Sequence, residues 1–467
     1  MGAIDLKITL QDIKPPIWRQ IRISSKASLL DLHYVIQQAF GWTNRHLFIF
    51  EVGSLEFVDS DTWEEDAYQF QSAMLAKLDD LIPKRIPIGG VFSYVYDMGD
   101  NWKHEILVEG VDETAQTFSG AICMAAERAG PPEDVGSVPG YVLLLENLQH
   151  PGSPAYKRAV AWLGYDYDPE SANSLDEINQ SLRDYFKTTK LKEDTYWAKR
   201  LPLHNPGFDF INDWIRNLSP EHRQYAKSLE FRRDVVSLLT YLKDHKVKGT
   251  KATGNFPRRD IRAIAARFEH PLRLDQQFGD LVYELRTEDE VPELIFMHNF
   301  LNAAGLILGG ENMLWELTSL GERFLASAPE AQAWYLSKFW FYQFNWEFSY
   351  PFTDAELSGD IFSFRYDYLK LLCNYPSGKQ VEIKRVIQDL DRILPGWIHV
   401  EKRFDITGST KQRFFVAVLV KNFAKFGFFE VIKTKDDPLD FDYYSYYTHI
   451  IITDYGKSLM RYLQKFA

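Results

Sequence analysis

The apolar period changes part-way along the chain, and nothing else constrains the fold as strongly. Ile4, Leu6, Ile8 and Leu10 alternate with polar residues, and Ile17, Ile21 and Ile23 resume the alternation after Lys14-Pro15-Pro16. A period of two predicts two strands that bury one face. Ser28 then stands where a helix cap belongs, and Leu29, Leu32, Val35, Ile36 and Phe40 follow at helical spacing. Leu47 to Val52 returns to strand. The order strand, strand, helix, strand predicts an α+β domain with a β-grasp-like sheet.

Val91–Met98 and Trp102–Glu109 read as a hairpin around Gly99-Asp100-Asn101, whose residue types suit a tight turn. On the return strand Trp102, His104, Ile106 and Val108 share the apolar face. A buried imidazole needs a partner, and Asp97 or Asp100 across the turn is the expected one. A structural His–Asp bond is favoured over a functional one. The acidic stretch Asp59, Asp61, Glu64, Glu65 and Asp66 reads as a solvated loop rather than a cation site.

The stretch from Tyr96 through Asp97, Gly99, Asp100, Trp102 and His104 to Ile106 resembles the Y-D-F-G-D-x-W-x-H-x-I block of the plasmid pRiA4b ORF-3-like family. Ile17-Trp18-Arg19, Leu32-His33, Gly41-Trp42, Glu127 to Asp134, Gly140-Tyr141 and Ala161 to Gly164 agree with it in the same order. The resemblance covers residues 1 to about 188 and implies an α+β domain without a defined activity. It departs at one block. Where the family commonly has further cysteines, this chain has Gly130 and Val135 and keeps only Cys123. A thiolate metal site is therefore not expected, and no other metal ligand set or cofactor is. Glu127, Arg128, Glu133 and Asp134 read as a polar loop beside the hairpin, ordered by Pro131-Pro132. Asp97, Asp100, His104 and Glu133 are the candidates should the domain be a hydrolase or transferase.

Gly140–Gln149, Pro154–Leu163 and Ser174–Phe186 are expected to be helices. Thr188–Pro206 is charged and without period, so a linker is placed there. The expected division is 1–188 for the α+β domain, 189–229 for a linker and connecting helix, then two units at 230–330 and 360–467.

Those two units follow from self-similarity at an offset of 122 residues. Asp260-Ile261-Arg262-Ala263-Ile264 aligns with Glu382-Ile383-Lys384-Arg385-Val386, and Leu301 and Gly305 align with Phe423 and Gly427. Each glycine follows a helical stripe, as a C-cap does. A strand pair and then Thr318 or Thr453, as the cap of a last helix, complete each copy. The second hairpin is longer and runs through Asp442–Tyr447, with several tyrosines expected on its surface. The mostly helical C-terminal half thus reads as tandem winged-helix-like units.

Charge bears on what such units contact. The chain carries −12, and residues 1–190 hold 16 basic against 28 acidic residues, so the whole excess lies there. Arg232 to Arg273 is locally basic, and Arg258, Arg259 and Arg262 are expected on the outer face of one helix. They are the candidate nucleic-acid contacts. A protein-binding face is an equal alternative. The two cysteines allow no disulfide framework, and the N-terminus lacks a signal-peptide core. The longest clean apolar run near the C-terminus, Phe414 to Val420, is far too short for a membrane span. No phosphate loop, zinc-protease motif or nucleophile elbow is present. The expectation is a cytoplasmic, non-enzymatic binding or regulatory protein of a mobile-element-associated family, with a protein or DNA partner and no membrane contact.

Overall fold

A computed structural model describes residues 2–59, 71–171, 174–195, 212–272, 274–278, 281–284, 286–344, 346, 357–358, 364–394, 399–400, 412, 415–434 and 447–466. The chain divides into two compact units, residues 1–196 and 197–467. No described helix is long and apolar enough to cross a membrane.

The first unit is built on one eight-stranded sheet. Its strands are β1 (Ala3–Leu10), β2 (Ile17–Ser24), β3 (Phe48–Val52), β4 (Leu55–Val58), β5 (Gln71–Ser72), β6 (Val91–Tyr96), β7 (Trp102–Asp112) and β8 (Ala121–Glu127). They lie in the order β5-β4-β3-β6-β7-β1-β2-β8. The compact β-grasp-like sheet expected from sequence is replaced by a wider one. The physical reason lies at its centre, where the β6–β7 hairpin inserts between β3 and β1. The resulting ladders are antiparallel, and only β4–β5 is parallel.

Helix α1 (Leu29–Phe40) covers the buried face. Ser28 and Asp31 form a reciprocal capping box, and Gly41 ends the helix at φ 82°. Leu29, Leu32, Val35, Ile36 and Phe40 all face inward, as their spacing predicts, with His33 and Gln37 buried among them. Three further helices follow: α3 (Ser137–Leu148), α4 (Pro154–Leu163) and α5 (Leu175–Thr195), after the single turn α2 (Leu78–Leu81). Helix α3 starts before Gly140, which sits inside it. A Cβ there would lie 2.1 Å from the Val135 carbonyl oxygen, so the glycine serves a close approach rather than a start. Helix α5 runs eight residues into the linker expected at Thr188–Pro206, because Ser174 to Thr195 holds no glycine or proline to stop it. The rest of that linker lies outside the described residues. So do Asp61 to Asp66 of the acidic loop and Arg273.

The second unit is mostly helical and carries two copies of one arrangement. The first copy is helix Glu230–Asp244, β9 (Val247–Lys248), helix Arg258–Ala265, helix Pro292–Ala303, β12 (Ile307–Leu308), β13 (Leu314–Leu317) and helix Ser319–Ala326. A hairpin of β10 (Asp275–Phe278) and β11 (Leu281–Glu284) is inserted before its third helix. A short ladder pairs β14 (Leu357–Ser358) with β16 (His399–Val400). The second copy is helix Arg365–Asn374, β15 (Gln380–Glu382), helix Ile383–Ile393, a π-helical run Phe415–Val420 continuing as helix Lys421–Lys425, β17 (Phe429–Lys433), β18 (Tyr447–Ile452) and helix Asp454–Leu463. The sheets are ordered β12-β13-β9 and β15-β18-β17, so the last strand is central in both. Leu301 and Phe423 are buried one turn before Gly305 and Gly427, which have φ of 65° and 80°. The tyrosine-rich hairpin lies outside the described residues except for Tyr447. That side chain is buried rather than exposed, because it opens β18 on the packed side.

Thr318 and Thr453 cap the last helices, accepting from the amides of Gly321 at 3.0 Å and Gly456 at 2.9 Å. Thr318→Ala and Thr453→Ala should each lower stability by about 1 kcal/mol. Urea denaturation of the full chain measures it, and a neutral result at either site would show that cap to be dispensable.

Candidate functional site

Three loops of the first unit meet at one end of its sheet: residues 41–47 after α1, the β6–β7 turn at 97–101, and the segment 128–136 after β8. Several contacts fix them there. Trp42 donates through Nε1 to the Pro131 oxygen at 2.9 Å and stacks on Tyr96, with centroids 4.9 Å apart. Gly130 passes so close to α1 that a Cβ would lie 2.2 Å from the Phe40 oxygen. A cysteine at this position, as in the family pattern, would need the backbone to move. Asp100 accepts from the Gly136 amide at 3.1 Å and so ties the turn to the third loop. Asn44, Asp97 and Asp134 all adopt left-handed backbone, at φ of 53°, 58° and 58°. Asn and Asp tolerate that region better than other side chains do, although it still costs energy.

Side chains converge where these loops meet. Asp97, buried at 8% exposure, accepts through Oδ1 from the Gly99 and Asp100 amides at 2.9 and 3.2 Å. Its Oδ2 faces His46 Nε2 at 3.6 Å. Asp134 Oδ1 lies 3.1 Å from the same nitrogen and Glu133 Oε2 3.9 Å. Glu133 is held by the Thr43 amide at 2.7 Å, the Thr43 hydroxyl at 3.1 Å and the Tyr96 hydroxyl at 3.2 Å. Burial, with Glu133 beside it, pushes the Tyr96 phenol well above its ordinary range, so it remains a proton donor. A cavity of about 380 Å³ opens beside the cluster, lined by Arg45, His46, Asp59 and Asp97 among others.

Of the four residues named from sequence, Asp97 and Glu133 share this cluster and Asp100 braces it. His104 is elsewhere. It lies fully buried on β7, edge-on to Phe40 and Trp42, with Nδ1 3.1 Å from the Trp102 oxygen. The expected His104–aspartate bond is absent, because Asp97 turns its carboxylate onto its own turn amides and towards His46. Nε2 of His104 has no hydrogen-bond partner among the described residues, and burial lowers the imidazole pKa to about 3. The histidine of the site is His46, which sequence reasoning passed over. It sits in an aperiodic loop some fifty residues from its nearest carboxylate partner, and no local spacing marks it.

Arg128 is structural. It donates to the Pro15 oxygen at 2.9 Å and pairs with Glu170 at 2.6 Å. Cys123 is buried on β8 and its thiol is pushed up to about 11, which leaves it un-ionised. In the second unit Arg258 and Arg262 are exposed, as expected, but both pair with Glu284 of β11, and Arg259 lies 3.3 Å from Asp260.

Three of the sequence blocks carrying the family resemblance, Gly41-Trp42, Tyr96 to Ile106 and Glu127 to Asp134, thus come together in space. The model of the plasmid pRiA4b ORF-3-like protein family matches residues 2–176. An uncharacterised protein, y4hQ of Sinorhizobium fredii, is 31% identical over 186 residues, which are 39% of this chain and 92% of that protein. The chain belongs to the plasmid pRiA4b ORF-3-like family. A crystal structure of a protein of unknown function, MM3350 from Methanosarcina mazei Go1, is 32% identical over 38% of this chain and 98% of its own, with a TM-score of 0.33. The family domain is therefore the first unit, and the His46 cluster lies within it. An imidazole nitrogen and several carboxylates around a cavity can bind a cation, hold a polar ligand or relay a proton.

Proposed function

We propose that this protein binds rather than catalyses, with a ligand pocket in its family domain and two winged-helix-like units, at 230–330 and 360–467, that contact protein. One observation carries the reading of the C-terminal half. Helix, strand, helix, helix and hairpin recur in the same order, with the last strand of each copy at the centre of its three-stranded sheet. A winged-helix unit is built in that order.

Burial and charge favour protein over DNA as the partner. Helix Pro292–Ala303 stands in the position of a recognition helix, yet it buries Leu294, Phe296, Met297, His298, Phe300 and Leu301. Its counterpart is buried throughout Phe415–Val420. On helix Pro292–Ala303 the outward positions, Pro292, Glu293, Ile295, Asn299 and Asn302, include no basic side chain to meet a phosphate backbone. Arg258 and Arg262 already face Glu284, which weakens them as phosphate contacts. The enzymatic alternative is weakened by His104, which is buried on β7 and not at the cluster of Asp97 and Glu133.

Fluorescence anisotropy of labelled duplex DNA tests the choice. Titrated with the full chain at low salt, the signal should stay flat to micromolar protein. A salt-sensitive rise, abolished by combining Arg258→Ala, Arg259→Ala and Arg262→Ala, would overturn the protein reading in favour of DNA.

A further inference from the structure

We propose that His46, Asp97 and Asp134 bind one divalent transition-metal cation of the Zn²⁺ or Mn²⁺ class, at the edge of the cavity beside the β6–β7 turn. This names the ligand of the family-domain pocket and rests on reading that pocket as a binding site. Sequence reasoning expected no metal site, because the three residues are spread over three separate loops.

Geometry is the first argument. One donor atom from each residue lies within 4.8 Å of the others. Metal–ligand bonds of about 2.0–2.2 Å in tetrahedral geometry set donors roughly 3.4 Å apart. The His46 separations of 3.1 Å to Asp134 and 3.6 Å to Asp97 already match the edges of such a polyhedron. Two edges on one imidazole nitrogen leave little for the side chains to rearrange.

Charge is the second. Asp97, Glu133 and Asp134 place three carboxylates around one imidazole. Among the described residues no lysine or arginine lies within ion-pair distance of any of them, and Arg45 at the cavity rim makes no such pair. Asp97 is buried; its Oδ1 is used by the turn amides, and its Oδ2 faces the His46 nitrogen. A buried carboxylate such as Asp97 favours a countercharge beside it. A divalent ion supplies two positive charges and takes the imidazole nitrogen as a ligand.

The donor set indicates the class of ion. Calcium and magnesium are held by oxygen alone, whereas a nitrogen donor among carboxylates suits zinc or manganese. Glu133 is a positioning residue. Its bonds to Thr43 and Tyr96 hold it beside His46 and Asp134 without requiring it to be a ligand. The cavity leaves the remaining coordination positions to water.

The test is calorimetric titration of the tag-free full chain, dialysed against EDTA and then freed of it, with the chlorides of zinc and manganese and, for comparison, of calcium and magnesium. Zinc or manganese should give a saturating single-site isotherm. His46→Ala, Asp97→Asn and Asp134→Asn should each weaken binding about tenfold or more, while Glu127→Gln on the exposed edge of β8 should bind as the wild type does. Asp97→Asn keeps an oxygen for the turn amides, and an unchanged circular dichroism spectrum would establish that each variant is folded. No saturable heat with either metal overturns the assignment. So does equal affinity in the three site variants, or a preference for calcium or magnesium over both. The DNA titration turns on Arg258, Arg259 and Arg262 of the second unit and the metal titration on the three site variants of the first, so the two proposals fail separately.

Discussion

Acidification from pH 7 to 4 should destabilise the family domain strongly, through two histidines the fold keeps neutral. His33 and His104 are fully buried, and burial lowers both pKa values to about 3 from an ordinary 6.5. His33 has no room for a second proton. Nε2 donates to Asn44 Oδ1 at 2.8 Å, and Nδ1 accepts from the Tyr94 hydroxyl at 2.8 Å, which itself accepts from Gln37 at 3.2 Å. Between pH 6.5 and 3 the unfolded chain binds these protons and the folded chain does not. Stability is therefore complete above about 6.5 and falls as the pH drops, by up to about 1.4 kcal/mol per unit for each group. At pH 4 the loss is of the order of 3 kcal/mol per histidine. Urea midpoints across this range measure it. His104→Phe should fold, since Phe40, Trp42 and Tyr94 line the site, and should remove its share of the slope. An unchanged slope in that variant would mean that the imidazole is protonated inside the fold.

Alanine at either of two equivalent glycines should disrupt the second unit. Gly321 and Gly456 each occupy the third position of a Thr-capped helix. A Cβ at Gly321 would lie 2.1 Å from the Leu306 oxygen, and one at Gly456 would lie 1.8 Å from the Phe428 oxygen. Both obstacles are backbone, just past Gly305 and Gly427, so no side chain can swing aside. The helix would have to lift from the hairpin and lose its Thr cap in the same movement. Gly321→Ala and Gly456→Ala should each cost about 3 kcal/mol or more, at or above the upper end for overpacking. Gly378→Ala is the control. It sits at φ 70° with nothing within 4 Å of its Cβ, so it should cost only about 1–2 kcal/mol. Thermal melts of the three variants compare them directly, and equal losses would remove the close approach as the cause.

Those two glycines show how much of the C-terminal half was legible. The capping threonines and the C-cap glycines are local signals, since a cap is made by residues three or four positions apart. The same holds for Ser28 before α1 and for the apolar alternation of β1 and β2. The site was legible only in part. Asp97 and Glu133 were marked by their motifs, but the imidazole was assigned to His104 because that residue stood in the motif. Periodicity correctly put His104 on the buried face, and burial is what removes it from the site.

The strand and helix periods and the helix caps can be read from the chain itself, because each depends on residues a few positions apart. Tertiary structure alone decided that β6 and β7 insert between β3 and β1, that Glu284 meets Arg258 and Arg262, and that His46 meets Asp97 and Asp134. Those meetings depend on how loops far apart in sequence close over a common core, and no period or spacing in the chain encodes that closure.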